Sequence, residues 1–389
     1  MRLGSDNLLS SMPELIGGKR IGIITNHSAL MSDGRHILDA LLSKSGVEVK
    51  ALFGPEHGIL GVAPDRRDVK DSLEEKLGIP VFSLFGKTTK PTARMLKGLD
   101  LLLFDIQDVG VRFYTYTTTL ALTMEAAAAH GIQYVVLDRP NPIGGRRVEG
   151  PTLHPSLKSF VGWLPLPVVH GMTNGELSQM INGEGWLRYG SRADLKVVKM
   201  VGWRRMHYFD DTRLQWIKPS PSIHTVQTAV VYPGTCFIEG TNVSEGRGTD
   251  HPFEYLGAPW INGKKLTSWL NACGLPGVMF EPIVFTPKST RSVTTDSKYE
   301  GERCGGIKLH VTDRGGFSPV RTVVFILSAL QKLYPRQFLM RPRRLDELIG
   351  TREVRKALLK GTDENLIVSS FASAEKEHRS KRAKYLIYR

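Results

Sequence analysis

The sequence predicts an α/β protein: a Rossmann-like, doubly wound and mostly parallel sheet carrying a second, smaller α/β domain. Three observations predict it. Strand-like and helix-like periods alternate from about residue 19 to 138, as βαβ units require. Leu99 to Ile106 is almost continuously apolar, the pattern of a strand covered by helices on both faces. Beyond Gly144-Gly145 the rhythm changes, which divides the chain into 1–145 and 146–389. With 389 residues and 41% apolar content, it can build two cores.

In order, Lys19 to Thr25 reads as a strand ending in Asn26-His27-Ser28, and Ile37 to Lys44 as a helix. The strand from Val47 to Phe53 runs into Gly54-Pro55-Glu56-His57-Gly58, a tight turn presenting a carboxylate beside an imidazole. A short helix is expected over Val69 to Leu77, a strand over Ile79 to Phe85, and a helix opening at Pro91. The apolar strand ends in Asp105-Ile106-Gln107-Asp108, an Ala-rich helix spans about 117–130, and the strand Tyr134 to Leu137 ends in Asp138-Arg139-Pro140-Asn141. In the second part, Gly171 to Met180 reads as a capped helix and Leu195 to Met200 as a strand. Trp216 to Gly248 is Pro-, Gly- and Thr-rich and reads as long functional loops. A helix over Lys264 to Cys273, strands over Val278 to Phe285 and Ile307 to Thr312, a helix over Val320 to Leu333 and two further helical segments complete the pattern.

Composition excludes several functions. The net charge of +14 invites a nucleic-acid reading, but residues 331–389 hold 15 Lys and Arg against 7 Asp and Glu, a net of +8. That excess is spread over helical faces and carries no nucleic-acid-binding motif. It fits anionic polymers such as cell-wall fragments equally well. No run of 18 apolar residues is present, so no membrane insertion is expected. The start lacks a secretory signal, and Cys236, Cys273 and Cys304 form no close-spaced motif, so a cytoplasmic location is expected. There is no GxGxxG fingerprint and no Walker motif. His27, His57, His170 and His251 are too scattered for a metal motif, so neither cofactor nor metal is expected.

Carboxylates gather at segment ends: Glu56, Asp105, Asp108, Asp138, Glu239 and Glu245. Cleaving a sugar linkage needs an acid to protonate the leaving oxygen, and usually a second group to activate water or stabilise positive charge. Glu56, on the most constrained loop, is the first choice for the acid; a helix cap or an internal ion pair is the alternative. Asp105 and Glu245 are candidates for the second group. Arg112, Tyr114 and Arg139 suit a sugar carrying an anionic substituent, because rings stack on sugar faces and guanidinium groups fork carboxylates. Phe113 and Tyr116 alternatively belong to the core, leaving Tyr114 to face the cleft. Asn26, His57, Asp108, Asn141, His170, Glu239, Asn242 and Arg247 complete the candidate binding set.

The blocks Gly54 to Gly58, Phe104 to Tyr116, Leu137 to Pro142, His170 to Thr173, Tyr232 to Gly234, Glu239 to Gly248 and Gly257 to Trp260 together resemble the exo-β-N-acetylmuramidase family called NamZ, or DUF1343. The resemblance implies a peptidoglycan-recycling glycosidase that releases terminal N-acetylmuramic acid from the non-reducing end of β-1,4-linked glycan fragments. It implies a Rossmann-like domain and a smaller C-terminal domain with the cleft between them, and puts the favoured catalytic glutamate at Glu56. A cation for the lactyl carboxylate would then come from Arg112, Arg139 or Arg247. A non-catalytic muramyl-sugar-binding protein and a metal-assisted hydrolase of another sugar conjugate are the competing readings. The chain departs from the family at Ser220-Pro221-Ser222-Ile223-His224-Thr225, where relatives typically read Ser-Pro-Asn-Met-Pro-Thr. A substrate-contacting role for that loop would change the preferred sugar or linkage.

Overall fold

The computed structural model describes residues 1–61, 71–74, 78–289 and 297–389. The first sheet is built from β1 (Arg20–Thr25), β2 (Glu48–Gly54), β3 (Ser72–Glu74), β4 (Ile79–Ser83), β5 (Leu101–Asp105), β6 (Gln133–Leu137) and β7 (Leu195–Val198). Its strand order is β3-β4-β2-β1-β5-β6-β7. Every neighbouring pair is parallel except β3 with β4. From β1 the chain lays strands outward through β2 and β4, then returns to add β5, β6 and β7 on the other side. The order therefore reverses between β1 and β5, the topological switch of a doubly wound sheet. Because β7 lies at 195–198, the sheet draws on residues from both sides of the 145/146 division.

The helices of this part are α1 (Gly4–Ser11), α2 (Ile37–Leu42), α3 (Ala93–Leu96), α4 (Thr115–Ala129) and α5 (Asn174–Gly183). Residues 115–127 of α4 are all buried, so this helix is covered all round rather than on one stripe. Two of its threonines satisfy their hydroxyls within the helix: Thr119 donates to Thr115 O at 3.1 Å and Thr123 to Thr119 O at 2.7 Å. A capping box opens α5, with Glu176 N donating to Thr173 Oγ1 and Thr173 N to Glu176 Oε2.

The second part contains α6 (Val226–Thr235), β8 (Tyr255–Ala258), α7 (Gly263–Ala272), β9 (Val278–Phe285), β10 (Cys304–Val311), α8 (Pro319–Leu333), α9 (Pro342–Ile349), α10 (Glu353–Leu359), α11 (Glu364–Ser369) and α12 (Ala372–Arg382). β10 pairs antiparallel with both β8 and β9. Among the described residues no helix is long and apolar enough to cross a membrane.

Four differences from the sequence reading have physical causes. Residues 72–74 are a strand, not part of a helix, because they pair antiparallel with β4 at the sheet edge; the rest of that expected helix, at 69–70 and 75–77, lies outside the described residues. Residues 226–235 are helical although they contain Pro233 and Gly234, two residues that argue against a helix interior. The glycine is used for contact: a Cβ there would sit 2.1 Å from Pro319 O, so α6 packs directly on the start of α8. The N-terminal segment forms α1 and residues 255–258 form β8, both too short for a periodic signal. Four helices, not two, follow α8.

The last helix is fastened to the first part through buried cations and imidazoles. His378 Nε2 meets His170 O at 3.0 Å, and Arg382 Nη1 donates to Gly145 O and His170 O at 3.0 and 3.1 Å. Burial pushes the His170 pKa down to about 3 and that of His378 to about 4, with nearby cations adding to the effect. Both rings fold neutral. The stability they carry is complete above the unfolded histidine pKa and is lost as pH falls from about 6.5 toward those folded values, at up to roughly 1.4 kcal/mol per pH unit per ring. Urea unfolding at pH 7 and pH 5 is expected to show this loss, and His378→Gln to reduce the slope. An unchanged slope in the variant would remove His378 from the account.

Candidate active site

The loop carrying Glu56 is set by backbone geometry. After Gly54, Gly58 N donates to Pro55 O at 2.9 Å, and both His57 (φ 71°) and Gly58 (φ 73°) turn left-handed. His57 is an uncommon residue in that conformation, which commits the turn to one shape. Gly61 also has positive φ, and a Cβ on it would lie 1.9 Å from the His27 ring. His27 in turn reaches Lys218 O at 2.7 Å through Nε2. Its pKa is lowered, by burial first and then by the neighbouring His57. Thr115, the first residue of α4, donates its hydroxyl to Glu56 Oε2 at 2.8 Å. Glu56 is only 8% exposed.

Glu56 and His57 line a cavity of 230 Å³ together with Tyr114, Thr115, Ser220 and Tyr232. Aromatic edges build one wall: Tyr114 packs on Tyr116 at 4.8 Å, and Tyr232 on Phe253 at 4.7 Å and Phe113 at 5.5 Å. The Tyr114 hydroxyl is buried without a hydrogen-bond partner among the described residues; Ser220 lies close but not in hydrogen-bond geometry. Burial raises its pKa well above the ordinary value, so this phenol stays a donor.

The lining is also charged. Glu239 accepts from Arg247 Nη2 at 2.9 Å and from Arg344 Nη2 at 2.6 Å. Arg247 also donates to Ser222 Oγ at 2.6 Å and lies over the Phe253 ring at 4.9 Å. The Arg344 Nε is buried with no partner among the described residues. The arrangement offers two carboxyl groups, an aromatic wall and two guanidinium groups around the same small space. That set suits a sugar ring bearing an anionic substituent. Among the described residues no group of three or more His, Cys, Asp or Glu is placed to hold a metal ion.

Of the residues expected from sequence, the cavity brings together Glu56, His57, Tyr114, Glu239 and Arg247. The others lie outside its lining, each with a structural contact. Asp105 forms a buried two-pronged ion pair with Arg139, whose Nη2 also donates to Leu30 O at 2.9 Å. Glu245 sits behind Arg247, 2.9 Å from Lys298 Nζ and 3.4 Å from Arg247 Nε. Arg112 donates to three carbonyls, of Pro151, Leu166 and Leu348, at 2.8–2.9 Å. Asp108 accepts from Gly110 N at 2.7 Å, and burial pushes its pKa up to about 7. Asn26 bridges Ser28 and Tyr116, Asn141 bridges Met172 O and Ile143 N, and Asn242 bridges Gln337 O and Leu339 N. His170 is packed under α12.

The cavity also lies beside the switch point rather than in it. A separate cavity of 290 Å³, lined by Ser28, Gln107 and Arg139, occupies the crevice after β1 and β5. Sequence reasoning missed Arg344, which lies on α9 and is 105 residues from its partner Glu239. Its charge looked like part of a solvated helix face. Reading α9 as amphipathic, with Leu345, Leu348 and Ile349 buried, would have shown only that Arg344 adjoins the buried stripe. The departing loop does touch the cavity, since Ser220 and Ile223 line it.

Arg112→Met separates the structural from the ligand-binding role of that residue. Removing the donor from Pro151 O and Leu348 O, and leaving Leu166 O with Leu153 N, is expected to cost about 3 kcal/mol, read as a lower urea midpoint. Unchanged stability with a raised KM for a carboxylated sugar would return Arg112 to the binding set.

Comparison with known proteins agrees across the whole chain. Models of the exo-β-N-acetylmuramidase NamZ N-terminal and C-terminal domains match residues 21–227 and 230–388. The peptidoglycan β-N-acetylmuramidase NamZ of Bacillus subtilis (strain 168) is 46% identical over 389 residues, covering 100% of this chain and 91% of the relative. Crystal structures of two DUF1343 family proteins from Bacteroides fragilis NCTC 9343 superpose with TM-scores of 0.91 and 0.82, at 34% and 32% identity. Each alignment covers 100% of this chain and 99% of the other. On sequence and on fold alike, the chain belongs to the exo-β-N-acetylmuramidase NamZ family.

Proposed function

We propose that this chain is a cofactor-free, exo-acting glycoside hydrolase that releases terminal N-acetylmuramic acid from the non-reducing end of peptidoglycan glycan fragments. The observation that carries this reading is Glu56, held by Thr115 on a rigid turn at the edge of an aromatic and arginine-lined cavity. Glu56 gives its proton to the glycosidic oxygen as the bond from that oxygen to the anomeric carbon breaks. Water adds to the anomeric carbon, and its proton restores the acid. Glu239 is the second carboxylate in the cavity. Two guanidinium groups fix it, which suits a stationary charge near the anomeric centre better than a proton carrier. Asp105 and Glu245, both outside the lining and each bound by a cation, then act as positioning groups for Arg139 and Arg247. The two sequence segments that meet here, the Rossmann-like part with Glu56 and the C-terminal part with Glu239 and Arg344, close the cleft between them.

The test uses 4-nitrophenyl β-N-acetylmuramide beside the matching N-acetylglucosaminide, with chelator present. Turnover of the muramide alone is expected. Glu56→Gln keeps the shape and the acceptor for Thr115 but removes the acid, and should lower kcat roughly 10²- to 10⁴-fold. Near-native turnover by this variant would remove Glu56 from the acid role. Binding without release by the native protein would favour a muramyl-sugar-binding protein instead.

Arg344 is proposed to hold the lactyl carboxylate, because its Nε is buried without a partner and the residue lines the cavity. Arg344→Met should lower kcat/KM on the muramide by about 10- to 100-fold. The same variant should show little further loss on a substrate whose lactyl group is an amide. An equal loss on both substrates would assign Arg344 to the support of Glu239 alone.

A further inference from the structure

The most spacious of the cavities described, 790 Å³, shares no lining residue with the Glu56 cavity. It lies between the 143–149 segment after β6, the start of α8, and α11 and α12. Five arginines line it: Arg146, Arg147, Arg205, Arg321 and Arg379. Three of them have carboxylate partners. Arg147 pairs with Glu149 at 2.6 Å, Arg205 with Glu176 at 2.6 Å, and Arg379 with Glu375 at 3.1 Å. The two carboxylates that line this cavity are further committed to the fold. Glu149 accepts from Ser318 Oγ and Val320 N, and Glu375 from Gly150 N.

Arg146 and Arg321 are left with no carboxylate within ion-pair reach among the described residues. The Arg146 side chain is exposed. Arg321 donates Nη2 to Asn365 Oδ1 at 2.7 Å and lies over the Phe325 ring at 5.4 Å, while its Nε is buried with no partner. A buried donor left unmade is costly, so native folds rarely keep one without a ligand or water to meet it. A concave space with a surplus of one charge and low-dielectric walls concentrates the opposite charge. Leu275, Pro276 and Val368 supply such a wall.

We propose that this cavity is a second ligand site, distinct from the Glu56 cavity, that takes a phosphomonoester on Arg146 and Arg321. Two unneutralised guanidinium groups match a group carrying about −1.5 to −2 charge at pH 7, and their forks suit phosphate oxygens. The apolar wall receives the body to which the phosphate is attached.

Calorimetric titration of the full chain with inorganic phosphate, glucose 6-phosphate and acetate, against sodium chloride at matched ionic strength, tests this. Saturable binding of the phosphates and none of acetate is expected, with affinity at least about tenfold weaker in the Arg146→Gln, Arg321→Gln double variant. Turnover at Glu56 should be unchanged in that variant. Tighter binding of glucose 6-phosphate than of inorganic phosphate supports the esterified ligand; inorganic phosphate bound with glucose 6-phosphate excluded overturns it. The proposal is overturned if neither phosphate binds beyond the chloride control, if acetate binds equally, or if the double variant binds as the native chain does. Should loss of Arg321 destabilise α8, the exposed Arg146→Gln variant alone must still weaken phosphate binding.

Discussion

The buried ion pair of Asp105 with Arg139 is the constraint on which the upper rim of the sheet depends. Asp105 ends β5 and Arg139 follows β6, so the pair locks two neighbouring strand ends together. A further bond of the guanidinium, from Nη2 to Leu30 O, adds the loop after β1. Three segments that meet at the switch point are thereby fixed by one residue. Breaking such a pair by removing one partner leaves an uncompensated buried charge, typically worth about 3–5 kcal/mol. The switch-point crevice, where doubly wound proteins commonly hold ligands, is thus partly filled by structure. The small aromatic cavity opens to one side of it, over the end of β2 and the start of α4.

That displacement explains how the polar clusters divide. Every parallel strand of the sheet that ends near the crevice brings charged or amide groups, and a low-dielectric interior obliges each to find a partner. Asp105 and Asn141 find theirs in neighbouring loops, and Asn26 and Asp138 at the starts of α4 and α5. Glu56 is presented differently, by a turn with two successive left-handed residues, and its partner Thr115 comes from a helix start. The group is oriented yet still borders open space.

The sequence was most legible where burial is continuous. β1, β2, β5 and β6 stand out because both faces are covered, and the Glu56 turn stands out because only glycine-rich geometry can form it. α6 was hidden because Pro233 and Gly234 serve a close helix contact that no periodicity reveals. Arg112 looked like a ligand-facing cation because sequence records a charge but not what solvates it; here three backbone carbonyls do. Arg344 was illegible for the opposite reason. Its role arises only when α9 is folded against Glu239, which no local pattern encodes.

The same logic accounts for the basic surplus of the C-terminal region. Part of it turns inward. Arg344 binds Glu239, Arg355 binds Asp346, Arg379 reaches Val148 O, and Arg382 reaches Gly145 O, Arg146 O and His170 O. Arg379 and Arg382 fasten α12 onto loops of the first part, Arg355 joins α10 to α9, and Arg344 ties α9 to Glu239 at the cavity wall. Lysine would not serve as well, because a point charge on a flexible stem lacks the planar fork that spans two carbonyls at once. These inward contacts make that part of the positive charge a means of assembling the C-terminal wall of the cleft. Outside that region, Arg146 and Arg321 keep their charge available to a ligand.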